Sequence, residues 1–253
     1  MTKPYLLATP PYDGASGGIK VMYGLYGWLL AKGQAAFLNS EIDVPSVGIY
    51  PEIYHGNDMM ASKVIRYILQ TPGMMATPDP VTQEMKAGPT SFPSTDEIYV
   101  FSKVYDEWQS DDDHILFLPI IDLYNFRDLG KKRTKKAFYV GKGVNVGLHP
   151  KDAFELGRER DQEKLAAFLN ECETLYIYDR LSALMECSRL CGCKVVYLGN
   201  MPKYQLELYE PGMNGLGYKE YVPLNSKMFR LHYIELIHTF NKKLDRFIDH
   251  TQR

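Results

Sequence analysis

The sequence predicts an α/β protein made of two Rossmann-like domains, with a reduced second domain and a long C-terminal helix. Three observations carry this. Short apolar strands alternate with segments of helical spacing, the pattern of parallel sheets flanked by helices. Each half opens on an apolar strand that runs into a glycine loop, first at residues 5–9 and again at 137–140. Residues 226–253 then carry apolar side chains at helical spacing over many turns. The expected divisions are 1–130, an acceptor-side domain; 137–225, a donor-binding domain; and 226–253, a helix that packs back on the first domain.

In chain order, the strand at 5–9 leads into Pro10, Pro11, Asp13, Gly14, Gly17 and Gly18. A helix is predicted over 19–32, because Val21, Met22, Leu25, Trp28 and Leu29 share one face and Gly33 is a fitting stop. Strands are expected at 35–38 and 47–50, and a second helix at 59–69 before Thr71-Pro72-Gly73. Residues 71–95 are rich in Pro, Thr, Gly and Ser and read as a long loop or lid. Buried strands are predicted at 97–102 and 114–121, with Asp111-Asp112-Asp113 as a solvated turn. The basic run holding Lys131, Lys132, Arg133, Lys135 and Lys136 reads as a solvated linker; such a cluster can also touch anionic lipid at a membrane surface. The second half gives strands at 137–140, 174–178 and 194–198 and helices at 161–170 and 182–190. In the last helix Ser226 is the expected N-cap, and Met228, Leu231, Ile234, Ile237, Leu244, Phe247 and Ile248 the expected buried face.

Composition excludes several classes. Lys plus Arg is 29 and Asp plus Glu 31, a net charge of −2, so no global field holds a polyanion and a nucleic-acid partner is not expected. A 45% hydrophobic content requires a folded core. No apolar run approaches the roughly 18 residues of a membrane helix, and the apolar start is too short for a signal peptide. A cytoplasmic protein is expected. Cys172, Cys187, Cys191 and Cys193 fall in one short stretch without a paired C-x2-C knuckle or a nearby His. They read as small buried thiols rather than a zinc site.

Four segments carry candidate chemistry. Gly17 and Gly18 lie where a strand meets a helix, so backbone N–H groups and the helix dipole favour an anion; a tight turn is the plain alternative. Gly141-Lys142-Gly143 places a lysine between two glycines, which lets backbone and ammonium approach a diphosphate together. With Gly147 the spacing is one residue longer than the dinucleotide fingerprint, so a nicotinamide site is only weakly suggested. Tyr178-Asp179 ends a strand, the N–H groups of Ser182 and Ala183 could meet a phosphate, and Glu186 could accept ribose hydroxyls or simply face solvent. Glu52, His55 and Asn57 follow a strand at a Pro-Glu and Gly-Asn turn, where acid–base work competes with a structural role.

Together these segments resemble nucleotide-sugar-dependent glycosyltransferases of the GT-B fold, in particular the retaining group that builds bacterial surface polysaccharides. Ser16-Gly17-Gly18-Ile19-Lys20-Val21 is similar to that group's N-terminal glycine loop. Tyr50-Pro51-Glu52, Gly56-Asn57, Val64-Ile65-Arg66-Tyr67-Ile68-Leu69 and Pro72-Gly73 resemble a segment of some members. Tyr139-Val140-Gly141-Lys142-Gly143 looks like the start of the donor-binding domain. The best match runs from Tyr178-Asp179 through Ser182-Ala183-Leu184 and Glu186 to Cys191-Gly192-Cys193-Lys194-Val195-Val196. Asp179 and Glu186 stand one residue closer than the usual glutamate pair, and Lys194 replaces the usual Pro.

The resemblance implies transfer of a sugar from a nucleotide-diphosphate donor to a glycan or lipid-linked acceptor, without a metal and without a cofactor beyond the nucleotide sugar. It implies that Lys142 neutralises the diphosphate, that Gly17-Gly18 faces it, that Glu186 holds the ribose and that Asp179 lies near the transferred sugar. Glu52 joins Asp179 as a catalytic candidate, and His55 and Asn57 stand on the acceptor side. The alternatives are a non-catalytic nucleotide-sugar-binding partner protein and an NAD(P)-dependent oxidoreductase. The aromatic content and the long helix leave room for a homodimer.

Overall fold

The computed structural model describes residues 2–78 and 84–253. Residues 79–83, part of the expected lid, lie outside the described residues. The chain forms two compact units, residues 2–118 with 238–253, and residues 119–237.

The first unit is built on β1 (Tyr5–Leu7), α1 (Gly17–Ala31), β2 (Ala36–Leu38), β3 (Val47–Pro51), β4 (Lys63–Ile68), β5 (Ala76–Pro78), β6 (Met85–Ala87) and β7 (Glu97–Val100). Its five-stranded sheet has the order β2-β1-β3-β4-β7, and every pairing is parallel. Strands covered on both faces read as continuous apolar runs. Accordingly β1 and β3 are buried at every position.

The predicted helix at 59–69 is instead a loop and β4. Val64, Ile65, Tyr67 and Ile68 are β-branched or aromatic, which suits a pleated surface better than a helix. Arg66 lies in the middle of this strand. Its guanidinium is buried, pairs with Asp96 at 2.7 Å, donates to the carbonyls of Tyr54 and Gly56, and lies over the rings of Tyr50 and Phe92. The stretch 71–95 is not all loop, because β5 and β6 pair as an antiparallel ribbon. The strand expected at 114–121 reduces to a 3-10 turn over Asp112–His114 and one parallel bridge, Val100 to Ile115.

The second unit follows with β8 (Lys135–Tyr139), β9 (Phe154–Glu155), α2 (Gln162–Glu171), β10 (Cys172–Ile177), α3 (Leu184–Leu190), β11 (Lys194–Tyr197), α4 (Lys203–Leu206) and β12 (Leu216–Tyr218). Its sheet has the order β12-β11-β10-β8-β9, again parallel throughout. Asp161 caps α2 by accepting from the N–H groups of Glu163 and Lys164. The basic run 131–136 belongs to this unit rather than to a linker. Its charges meet carboxylates: Lys135 and Lys131 reach Glu171, Arg133 reaches Asp128 and Lys136 reaches Asp152. All four cysteines are free and buried, packed with Leu165, Leu169, Leu175 and Leu190.

Helix α5 (Ser226–Thr251) starts in the second unit and ends in the first. The cap is Asn225, whose side chain accepts from the N–H of Met228, while Ser226 donates to Asp128. The expected buried face holds at Leu244, Phe247 and Ile248 but not in the first turns. Met228 and Leu231 are each 55% exposed, whereas Phe229, Tyr233, Phe240, Leu244 and Phe247 are buried. The larger aromatic groups take the inner face because they remove more apolar area, about 1.5–3 kcal/mol for a fully buried side chain of this kind. In the first unit Phe247 stacks on Tyr5, whose hydroxyl meets Thr251 at 2.7 Å. No helix among the described residues is long and apolar enough to cross a membrane.

Candidate functional site

Numbered within each five-stranded sheet, both share one strand order, 2-1-3-4-5. The chain leaves the first strand toward one flank and the third strand toward the other. The loops after these two strands therefore diverge, and ligands of open parallel sheets bind beyond the carboxyl ends at such a switch point. In the first unit these loops follow β1 and β3; in the second they follow β8 and β10. Both predicted glycine loops stand at switch points.

The second unit gathers more chemistry there. After β8 the chain turns tightly, with Gly143 N–H on the Val140 carbonyl at 2.8 Å and Gly141 at φ +54°. After β10 comes Asp179, which is buried and accepts from the Lys142 N–H at 3.3 Å through Oδ2. A Cβ on Gly141 would fall against that same Oδ2, and one on Gly143 against the Tyr178 carbonyl. Sequence reading missed a third glycine. Gly199, after β11, lies so close that a Cβ would stand 2.6 Å from the Tyr178 carbonyl. The one available signal was its place directly after an apolar strand. Three glycines thus allow three strand ends to converge on the Tyr178-Asp179 backbone.

Oδ1 of Asp179 is buried and has no hydrogen-bond partner among the described residues. Desolvation raises this carboxyl's pKa above its ordinary value, and the nearby charge of Lys142 opposes that rise. Lys142 itself is exposed. Tyr178 is committed elsewhere: its hydroxyl meets the Leu148 N–H at 3.0 Å and His149 Nδ1 at 2.9 Å, and His149 stacks on Phe138.

Glu186 lies apart from this group. It is 4% exposed, and its carboxylate receives the hydroxyls of Tyr209 and of Tyr233, the latter at 2.9 Å. The solvent-facing alternative for Glu186 is therefore overturned. Burial raises both phenol pKa values well above normal, and the Glu186 charge adds to the rise. Arg189 completes the cluster, fully buried over the Phe229 ring, with its pKa lowered to about 10 by desolvation. Ser182 accepts from the Leu184 N–H at 3.3 Å as the chain enters α3, and Ala183 precedes that helix without a side-chain cap.

In the first unit, Ser16 caps α1. A Cβ on Gly17 would meet nothing within 4 Å, and one on Gly18 would make ordinary contact with Leu69. These glycines leave open space rather than relieve crowding. Glu52 is buried and accepts from the Leu69 N–H at 2.9 Å, so it fastens the end of β4. Asn57 locks its own loop through Tyr50 and Ala61, and His55 meets the Ala87 carbonyl at 3.0 Å.

No protein-family model matches the chain, and no curated protein does. Among solved structures, the chain is similar to an uncharacterised protein of Klebsiella pneumoniae at 13% identity and a TM-score of 0.40, covering 82% of this chain and 86% of that one. It is also similar to the E. coli RcsC C-terminus, containing a linker region and a phosphoreceiver domain. That match has 13% identity, a TM-score of 0.23 and coverage of 96% and 95%. Likenesses this loose carry no argument about function.

Proposed function

We propose that the chain is a GT-B glycosyltransferase that moves a sugar from a nucleotide-diphosphate donor to a glycan or lipid-linked acceptor. The supporting observation is the repeated plan: two parallel α/β units of one strand order, each with a glycine loop at its switch point. In this reading Gly141 and Gly143 let the backbone approach the diphosphate while the exposed Lys142 ammonium neutralises it. Lysine charge and backbone N–H groups then stabilise the leaving group, and the reaction needs no metal. The open backbone at Gly17 and Gly18, at the N-terminus of α1, faces anionic or sugar groups. Asp179 offers Oδ1 to a hydroxyl of the transferred sugar. Glu52, Tyr178 and Glu186 support the framework.

The experiment is a calorimetric panel of nucleoside diphosphates and nucleotide sugars, with and without Mg²⁺, on the wild type and Lys142→Ala. Metal-independent binding of one diphosphate, weakened at least tenfold by the substitution, is expected. Unchanged affinity in Lys142→Ala would sink the diphosphate assignment.

A second reading, a non-catalytic nucleotide-sugar-binding protein, is favoured by the commitment of Glu186 to two tyrosines. Donor turnover by the purified chain eliminates it. An oxidoreductase is less well supported, because β8 runs to β9 with no helix among residues 140–153 to receive a dinucleotide pyrophosphate.

A further inference from the structure

The first unit brings together three side chains that are far apart in sequence. Glu97 opens β7, His114 ends the 3-10 turn before the bridge at Ile115, and His250 sits on the last turn of α5. Nε2 of His114 lies 3.1 Å from Glu97 Oε1, and Nε2 of His250 lies 2.6 Å from the same oxygen. The ligand-type atoms of all three residues fall within 4.8 Å of one another. The two imidazoles stand 5.7 Å apart at 74°, so each aims a ring nitrogen at a shared point instead of stacking.

The surroundings fix these groups. Lys63 holds the other Glu97 oxygen at 3.0 Å and leaves Oε1 to the histidines. Asp111 Oδ2 lies 3.0 Å from Nδ1 of His114. That places carboxylates at both nitrogens of His114. A neutral imidazole carries one ring proton, so it can donate to only one of them. A metal ion on Nε2 leaves the Nδ1–H to donate to Asp111. A carboxylate on the outer nitrogen is the usual support of a metal-binding histidine.

We propose that Glu97, His114 and His250 form a divalent transition-metal site, with zinc the best-suited ion. Two imidazoles and one carboxylate are a zinc ligand set, and they select against magnesium and calcium, which take oxygen. Zinc bonds of about 2.0–2.2 Å put tetrahedral ligands roughly 3.3–3.6 Å apart, so the 3.1 Å His114–Glu97 spacing barely changes, the 2.6 Å His250–Glu97 contact opens and the wider separations, within 4.8 Å, close. The His250 side chain is 48% exposed, so solvent reaches the fourth position. Bound metal ties the last turn of α5 to the sheet edge at β7. This site lies within the first unit and makes no use of the residues assigned to the donor.

The test is calorimetry of Zn²⁺ into chelator-stripped, tag-free protein, with Co²⁺ absorption as the spectroscopic readout. One equivalent per chain, a raised melting temperature and visible bands of a low-coordinate Co²⁺ centre are expected. His114→Asn with His250→Asn should weaken binding at least 100-fold, and Asp111→Asn by about 10–100-fold. X-ray absorption on the wild type keeps the test independent of variant folding: an N/O shell is expected. No saturable binding, undiminished binding in the double variant, or a sulfur shell placing the ion on Cys172 and Cys193 would each overturn the site.

Discussion

The N–H of Lys142 and the carboxyl of Asp179 meet at 3.3 Å, which joins the glycine turn after β8 to the end of β10. The same aspartate keeps one oxygen buried without a partner among the described residues. A methyl at Gly141 would therefore bear directly on the Asp179 carboxyl.

Gly141→Ala should destabilise the protein by about 1–3 kcal/mol, because alanine is strained at positive φ and its methyl meets Asp179. Gly17→Ala should be neutral or stabilising by up to about 1 kcal/mol, since helix α1 has free space there. Urea unfolding of the pair separates crowding from open backbone. Equal losses would remove the distinction.

Asp179→Asn tests the raised carboxyl. When the folded pKa exceeds the unfolded one, the folded state holds the extra proton, and stability falls as pH rises from the ordinary value through the raised one. Across that window the wild type should lose stability relative to the asparagine variant, which lacks the titrating group. Thermal melts from pH 3 to 8 should show the variant at least as stable as the wild type at pH 7. A variant clearly less stable at pH 7 would mean that the carboxylate is favourable as an ion.

Glu186→Ala should cost about 3–5 kcal/mol, because it strands Arg189 and two phenol hydroxyls in a dry interior. Tyr233→Phe should cost about 1–3 kcal/mol, as it removes a hydroxyl that also accepts from the Ile121 N–H. Donor affinity measured on folded Glu186→Gln decides the ribose role. A large loss of affinity with little loss of stability would restore it.

Arg66→Met should be tolerated better than Arg66→Ala: both take the ion-pair partner from Asp96, but only alanine also opens a cavity beside the rings of Tyr50 and Phe92. Denaturation midpoints should fall in that order.

The parallel architecture was legible because both of its signals are local. Apolar runs such as Tyr5-Leu6-Leu7 and glycine turns such as Gly141-Lys142-Gly143 each act within a few residues. Features set by distant partners were not. The strand β4 was expected as a helix, and its central Arg66 is held by Asp96, far along the chain, with two aromatic rings over the guanidinium. Met228 and Leu231 had the right spacing, but the aromatics won the inner face of α5. Glu186 was read as ribose-binding or solvent-facing because Tyr209 and Tyr233 lie far along the chain. Nothing local connects Glu97 with His250.

The split composition of the first unit has a temporal consequence. Residues 119–237 are continuous and can fold as soon as they emerge during synthesis. The first unit needs residues 238–253, which carry Phe247 and Thr251 to Tyr5. At about 5–20 residues per second, its earlier strands wait roughly 7–27 s for that segment to be complete. During this interval the apolar surface meant for α5 is open to solvent. The younger half of the chain is thus complete before the older, and a ribosome that stalls late would leave the N-terminal sheet uncovered and prone to aggregate.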